Sequence, residues 1–343
     1  MGNDILYQNL RCVNCAKYGI LLTMPAFIIV ILGLIIGISS SSSLDLALSP
    51  LFPPNGDIPP LGAMIDNEFN AWPYQRGLSH AKIVYEAPAE GGITRFLAIF
   101  APGEMPEKVG PIRSARTYFL DWIHEYNGVY THVGGNSDAL ERLKKEKIFN
   151  ADQFFYLPYF HRENVGRTQL EHTMFLGREE FNKLLDEKKW AWTPPSHLTE
   201  TRRPFPVDLE KFPTAKKITI NLGTKTYAAT YNYNSILGIY LRTHAGMPHT
   251  DAENGQQLAP AVIVAQRVKT WSNNDSKFSI SMQTIGVGNA TVFMQGRVIQ
   301  GTWKKTALEE PTKFFDADGK ELVFAATPLW IEILPVTNTM TYE

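Results

Sequence analysis

Cysteine is nearly absent from this chain: its 343 residues include two, Cys12 and Cys15, both close to the N-terminus. Everything after Cys15 must fold without disulfides and cannot use a thiol nucleophile. The lone C-x-x-C has no second pair to complete a zinc site, so no catalytic role is expected of it. An excess of either charge is missing too. The formal net charge is −1, which gives no long-range pull toward nucleic acid or anionic lipid. No RNP, zinc-finger or basic-helix pattern occurs. The P-loop, the dinucleotide fingerprint, the G-x-S-x-G elbow and H-E-x-x-H are all absent. No cofactor and no metal are therefore expected, and whether the protein is an enzyme stays open at this level.

Charge itself is missing from one long stretch. Tyr18 to Ile38 carries no charged residue, and Phe27 to Ile36 is almost wholly aliphatic. That matches the ~20 residues needed to cross a bilayer. Arg11 and Lys17 precede it, and no Lys or Arg follows until Arg76. The positive-inside bias predicts a single-pass protein of the cell membrane: residues 1–17 cytoplasmic, 18–38 a transmembrane helix, 39–58 a linker, and the rest extracytoplasmic. A cleaved signal peptide is the alternative. Its apolar core is normally ~7–15 residues, yet Ser39–Ser43 supplies the small residues a signal peptidase needs.

The remainder has a globular composition, with 44% apolar and 20% charged residues, and length enough for two domains. Strand-like runs at Leu61–Ile65, Ala81–Ala87, Ile93–Phe100 and Val129–Val133 are interleaved with helical patterns. Those patterns run from Ile112 to about Tyr126 behind Gly110-Pro111, from Ser137 to about Lys147, and over Arg178–Lys188. Asn136 or Ser137 would cap the second helix. Past the proline-rich stretch 194–206, β signals dominate, with Gln295-Gly296 and Asp318-Gly319 as hairpin turns. The expected class is α+β: a mixed α/β domain over 59–192, then a predominantly antiparallel sandwich or roll over 206–337 that separates from it.

A set of blocks then occurs in a fixed order. These are Pro60-Leu61-Gly62-Ala63-Met64-Ile65-Asp66-Asn67, Gly77-Leu78-Ser79-His80-Ala81, Val84-Tyr85-Glu86, Glu90-Gly91-Gly92-Ile93-Thr94-Arg95-Phe96 and Val109-Gly110-Pro111-Ile112-Arg113-Ser114-Ala115-Arg116. Gly246-Met247-Pro248-His249-Thr250-Asp251, Gly286-Val287-Gly288, Val292–Gly296, Gly301–Lys305 and Phe315–Lys320 continue them. Together they resemble the YerB-like family of predicted bacterial lipoproteins, a family of unknown function, over roughly Asp57 to Pro335. The resemblance implies a bacterial, extracytoplasmic protein in two parts and implies no reaction. This chain departs from the lipoprotein pattern: no cysteine follows the apolar segment to take a lipid. The expected helix would replace that anchor.

Candidate chemistry gathers in few places. Arg113, Ser114 and Arg116, expected in the first turn of a helix, suit a phosphate or carboxylate. The competing expectation is that both arginines simply pair with Asp66, Glu86 or Glu90. Asp66 and His132 end strands, and with Arg113 and Arg116 they would line one cleft if those strands run side by side. His172, in Glu171-His172-Thr173, reads as a hydrogen-bonded buried histidine. His249 and Asp251, two apart, form a possible acid–base pair or half of a metal site, although turn chemistry explains the aspartate as well. The expected function is a cell-envelope binding module for an anionic ligand. The alternative is an envelope hydrolase or transferase using these His and Asp residues.

Overall fold

Apolar runs from both halves of the chain end up in one sheet. The first half supplies β1 (Leu61–Asp66), β2 (Ile83–Pro88), β3 (Thr94–Phe100), β4 (Val129–His132) and β5 (Phe149–Asp152). The second supplies β6 (Val262–Val268), β7 (Gly286–Met294), β8 (Arg297–Lys305), β9 (Lys313–Asp316) and β10 (Leu329–Pro335). Their order is β9-β8-β7-β6-β10-β2-β3-β1-β4-β5. The halves join where β10 pairs in parallel with β2, Leu329 opposite Ile83 through Glu332 opposite Glu86.

The structure, a computed structural model, describes residues 50–52, 57–164, 169–200, 208–273, 278–324 and 327–343. The expected transmembrane segment 18–38, with Cys12 and Cys15, lies outside them. Among the described residues no helix is long and apolar enough to cross a membrane.

Both faces of the sheet are covered, and this explains why β1, β2 and β3 are buried at every position. One face holds α1 (Thr117–Ile123) and α2 (Ser137–Lys145). Tyr118, Phe119, Trp122, Ile123, Ala139 and Leu143 pack there with Met64, Tyr85, Val264 and Ile331. The other face holds α3 (Arg178–Lys188) and a second, five-stranded antiparallel sheet. That sheet is built from Lys217–Asn221, Ala228–Asn234, Ile239–His244, Met247–Pro248 and Met340–Tyr342. Its Ile218, Ile220, Tyr231 and Tyr240 meet Ile65, Phe96, Ile263 and Trp330.

A mixed α/β first half is present as expected. The strands of 206–337 do not close into a sandwich of their own, however. Leu46–Glu343 form one compact unit, and β6 and β10 pair in parallel rather than antiparallel. The reason is hydrogen-bond accounting: β2 and β10 are fully buried, and each satisfies its backbone polar groups on the other. The expected turns hold. Gln295 and Gly296, both at positive φ, connect β7 to β8.

One glycine of the shared blocks has a clear steric reason. A Cβ on Gly301 in β8 would stand 1.8 Å from the Phe315 carbonyl oxygen of β9. Backbone cannot retreat as a flexible side chain does. Gly301→Ala is therefore expected to open the β8–β9 pairing and to cost about 1–3 kcal/mol. A urea midpoint would register the loss, and faster amide exchange in 313–316 would locate it. An unchanged exchange pattern would refute the steric account.

Strands β1, β2, β4, β5, β6 and β10 all point the same way. Their carboxyl ends, including Asp66, Pro88, His132 and Asp152, therefore share one edge of the sheet, and the candidate residues of the first half collect there.

Candidate functional site at the carboxyl edge of the sheet

Asp66 closes β1 and is 1% exposed. One carboxylate oxygen accepts the Glu68 backbone N–H at 3.0 Å. The other lies 2.6 Å from His172 Nδ1 and 3.2 Å from Arg113 Nε. The hydrogen bond that His172 donates to Asp66 raises the His172 pKa; burial opposes it, and the Asp66 charge adds to the rise. His172 Nε2 is 3.4 Å from Glu68. Arg113 Nη1 donates to the Glu171 carbonyl at 3.1 Å. The structure thus joins Asp66 to Arg113 and adds His172 between them.

The arginine block is not in a helix. Arg113 N–H donates to the Met64 carbonyl, Val133 N–H to the Arg113 carbonyl, and Ala115 N–H to the Gly134 carbonyl. The neighbouring strand ends capture these groups, so residues 112–116 run extended between β1 and β4. The helix expected from Ile112 begins at Thr117, with Arg116 as its N-cap. No helix-end field acts on Arg113 or Ser114.

Arg116 forms a two-pronged pair with Glu90 of the β2–β3 turn, Nε to Oε1 and Nη2 to Oε2, and its Nη1 donates to the Ala115 carbonyl. Arg95, at the start of β3, sits 3.6 Å from the same carboxylate, and its Nη1 donates to the Ser114 carbonyl. Burial tends to lift the Glu90 carboxyl, but the Arg116 hydrogen bonds and the nearby guanidiniums outweigh it and hold the group below its usual range. Arg95 is drawn down to about 10 by burial and by Arg116 and Arg113. Beside these residues opens a cavity of 360 Å³ lined by Glu90, Ser114, Arg116, Gly135, Asn136 and Ser279.

The other candidates lie elsewhere. His132 is fully buried, its Nδ1 2.8 Å from the Gly134 carbonyl and its Nε2 2.8 Å from Asn150 Oδ1. Burial lowers its pKa, against the pull of Asp152 and Asn150. It organises the β4–α2 turn and does not line the cleft expected with Asp66, Arg113 and Arg116. His249 is buried as well: Nδ1 accepts from Arg242 Nε at 2.9 Å, and Nε2 donates to Gln75 Oε1 at 2.6 Å. Burial, His244 and Arg242 hold its pKa well below the ordinary value. Asp251 accepts from Gly77 N, Ser79 N, Ser79 Oγ and Glu253 N. The two residues occupy a loop, face different partners and do not form an acid–base pair. Both stitch the second half to segment 75–79. Among the described residues no group of three His, Cys, Asp or Glu side chains could hold a metal ion.

Sequence reasoning missed two participants. Arg95 stands at the head of a buried strand, and a charge in so apolar a run was the available signal. Glu332 in β10 was the same kind of signal. It and Glu86 meet one guanidinium, Arg242, at 3.1 and 2.6 Å. That guanidinium comes from the second sheet and no local pattern announces it.

Three comparisons bear on this architecture. The chain is 30% identical over 286 residues to the Bacillus subtilis (strain 168) protein named "Putative lipoprotein YerB", covering 80% of this chain and 81% of that one. The crystal structure of Bacillus subtilis YerB superposes with a TM-score of 0.71 at 27% identity, over 85% of this chain and 99% of that one. Residues 54–191 match the N-terminal domain, and residues 218–331 the C-terminal domain, of a protein family described as of unknown function, DUF3048. The family's two sequence domains thus correspond to the two contributions to one sheet, and the chain belongs to the DUF3048 family.

Proposed function

We propose that this protein is a membrane-tethered, extracytoplasmic binding module that recognises an anionic group at the carboxyl edge of its large sheet, through Arg113, Ser114 and Arg116. The observation that carries the reading is an imbalance of charge. Arg95, Arg113 and Arg116 gather over two carboxylates, Asp66 and Glu90, next to the 360 Å³ cavity. Burial first, and then Arg116 and Arg113, lower the Arg95 pKa. An anion in the cavity relieves the repulsion, and guanidinium groups are suited to carboxylate and phosphate. The name of the Bacillus subtilis relative and the charge asymmetry around residues 18–38 support a tether on the outer face of the membrane. The partner is then a component of the cell envelope.

The hydrolase or transferase reading is weaker. Of its expected pairs, Asp66 stands apart from His132, and His249 from Asp251. Asp66 with His172 is the remaining acid–base pair, and His172 is buried and does not line the cavity.

The test is thermal unfolding of the full chain in phosphate against chloride at equal ionic strength. A ligand at ~100 times its dissociation constant adds about 2.7 kcal/mol, which a melting scan resolves. Arg116→Gln, at the arginine that lines the cavity, should abolish the gain without unfolding the protein, since Glu90 keeps Arg95. A wild type that melts identically in both salts would end this reading.

A further inference from the structure

We infer that the ligand of this cleft is a saccharide carrying an acidic substituent; the inference rests on the anion-binding reading above and adds the body of the ligand to its charge. Two separate loops beside the cavity carry solvent-exposed phenyl rings. Phe154 is 70% exposed and Phe278 76%. Phe154 follows β5 and leans over the β4–α2 turn. Its ring atoms come within 2.9 Å of where a Gly134 Cβ would stand, and Gly135 next along lines the cavity. Its backbone N–H shares the Asp152 carboxylate with that of Gly134, which fixes the loop to the turn. Phe278 directly precedes Ser279, another lining residue.

Side chains this exposed contribute little to the core, and apolar groups gathered at one place on a surface mark an interaction site. The recess beside them is polar: a carboxylate, two hydroxyls and an amide line it together with Arg116. A ligand that satisfies both must offer flat apolar faces to phenyl rings, hydroxyl groups to Glu90, Ser114 and Asn136, and a negative charge to the guanidiniums. A pyranose ring with a carboxylate, phosphate or sulfate has these three features. A bilayer surface fits less well. It calls for apolar groups on a projecting face with polar groups withdrawn, whereas here they rim a concavity that holds an acidic side chain.

The experiment uses the full chain in a sugar-free polyoxyethylene detergent. Trigalacturonate, a sulfated heparin tetrasaccharide, neutral maltotriose and inorganic phosphate are each titrated by calorimetry. At least one acidic saccharide should bind ten-fold or more tightly than phosphate, and tighter than maltotriose. Phe154→Ser combined with Phe278→Ser alters exposed side chains only. It should remove that ten-fold advantage and leave the phosphate response intact. Acidic saccharides no tighter than phosphate, or indifferent to the two substitutions, would overturn the inference and leave anion binding standing. Loss of saccharide binding when phosphatidylglycerol is mixed into the micelles would assign the aromatic rim to lipid and overturn it too. If neither phosphate nor any saccharide binds, both readings fall together.

Discussion

Arg242→Met will cost roughly 3–5 kcal/mol of stability, because it strands a buried carboxylate. Arg242 is fully buried in the second sheet and reaches across to the first. Its Nη2 donates to Glu86 Oε2 at 2.6 Å, its Nη1 to Glu332 Oε1 and to Tyr231 Oη, and its Nε to His249. Glu86 also accepts from Asn67 at 3.0 Å and Thr94 at 2.6 Å. Without the guanidinium the carboxylate has no counter-ion in a dry interface. A urea midpoint would read the loss. Adding Glu86→Gln to Arg242→Met should recover much of it, since removing both partners of a buried pair is far milder than removing one. If Arg242→Met alone shifts stability by less than ~1 kcal/mol, the interface does not depend on this ion cluster.

The second expectation concerns pH and Glu332. Two glutamates and one arginine share this interior, and one carboxylate suffices to balance the guanidinium. Burial, and then the Glu86 charge, push Glu332 up to about 8 against the pull of Arg242. Among the described residues its Oε2 accepts no hydrogen bond, which leaves a charge there unstabilised. A carboxyl whose folded pKa is raised adds stability that is complete below its unfolded pKa, ~4.3, and is lost as pH rises to about 8. The slope approaches ~1.4 kcal/mol per pH unit, so the total is on the order of 3–5 kcal/mol.

Three buried histidines work in the opposite direction over part of that window. His132, His244 and His249 have lowered pKa values, so their contribution rises with pH until the unfolded histidine value of ~6.5 and is flat above it. The informative quantity is the difference between wild type and Glu332→Gln, which cancels the histidines. The two proteins should match in stability near pH 5, and the variant should be several degrees more stable near pH 9. Parallel curves across pH 5–9 would mean that Glu332 is charged throughout.

Much of this was legible residue by residue. The helix Arg178–Lys188 stands at the expected residues, because an amphipathic stripe is a local pattern. Asn136 caps α2 through a bond from Ala139 N–H, as its place before Ser137 implied. The family was legible as well, because the blocks around 60–67 and 109–116 are continuous in sequence. Arg113 and Arg116 were expected to choose between an anion and the carboxylates Asp66, Glu86 and Glu90. They pair with Asp66 and Glu90, while Glu86 goes to Arg242.

What the sequence determined by itself was therefore the set of elements, the family and the edge of the sheet at which charge would collect. These follow from period, cap and turn chemistry within a few residues of each position. The tertiary structure decided everything that depends on which strand lies beside which. It merged two sequence domains into one sheet by pairing β10 with β2 and turned His132 and His249 into buried ties. It also drew Arg113 through Ala115 out of a helix by offering their backbone groups to strand ends. Pairing is a contest among distant segments for the same hydrogen bonds and the same buried surface. It is won by the combination that leaves the fewest polar groups unsatisfied, a property of the whole chain that no local window contains.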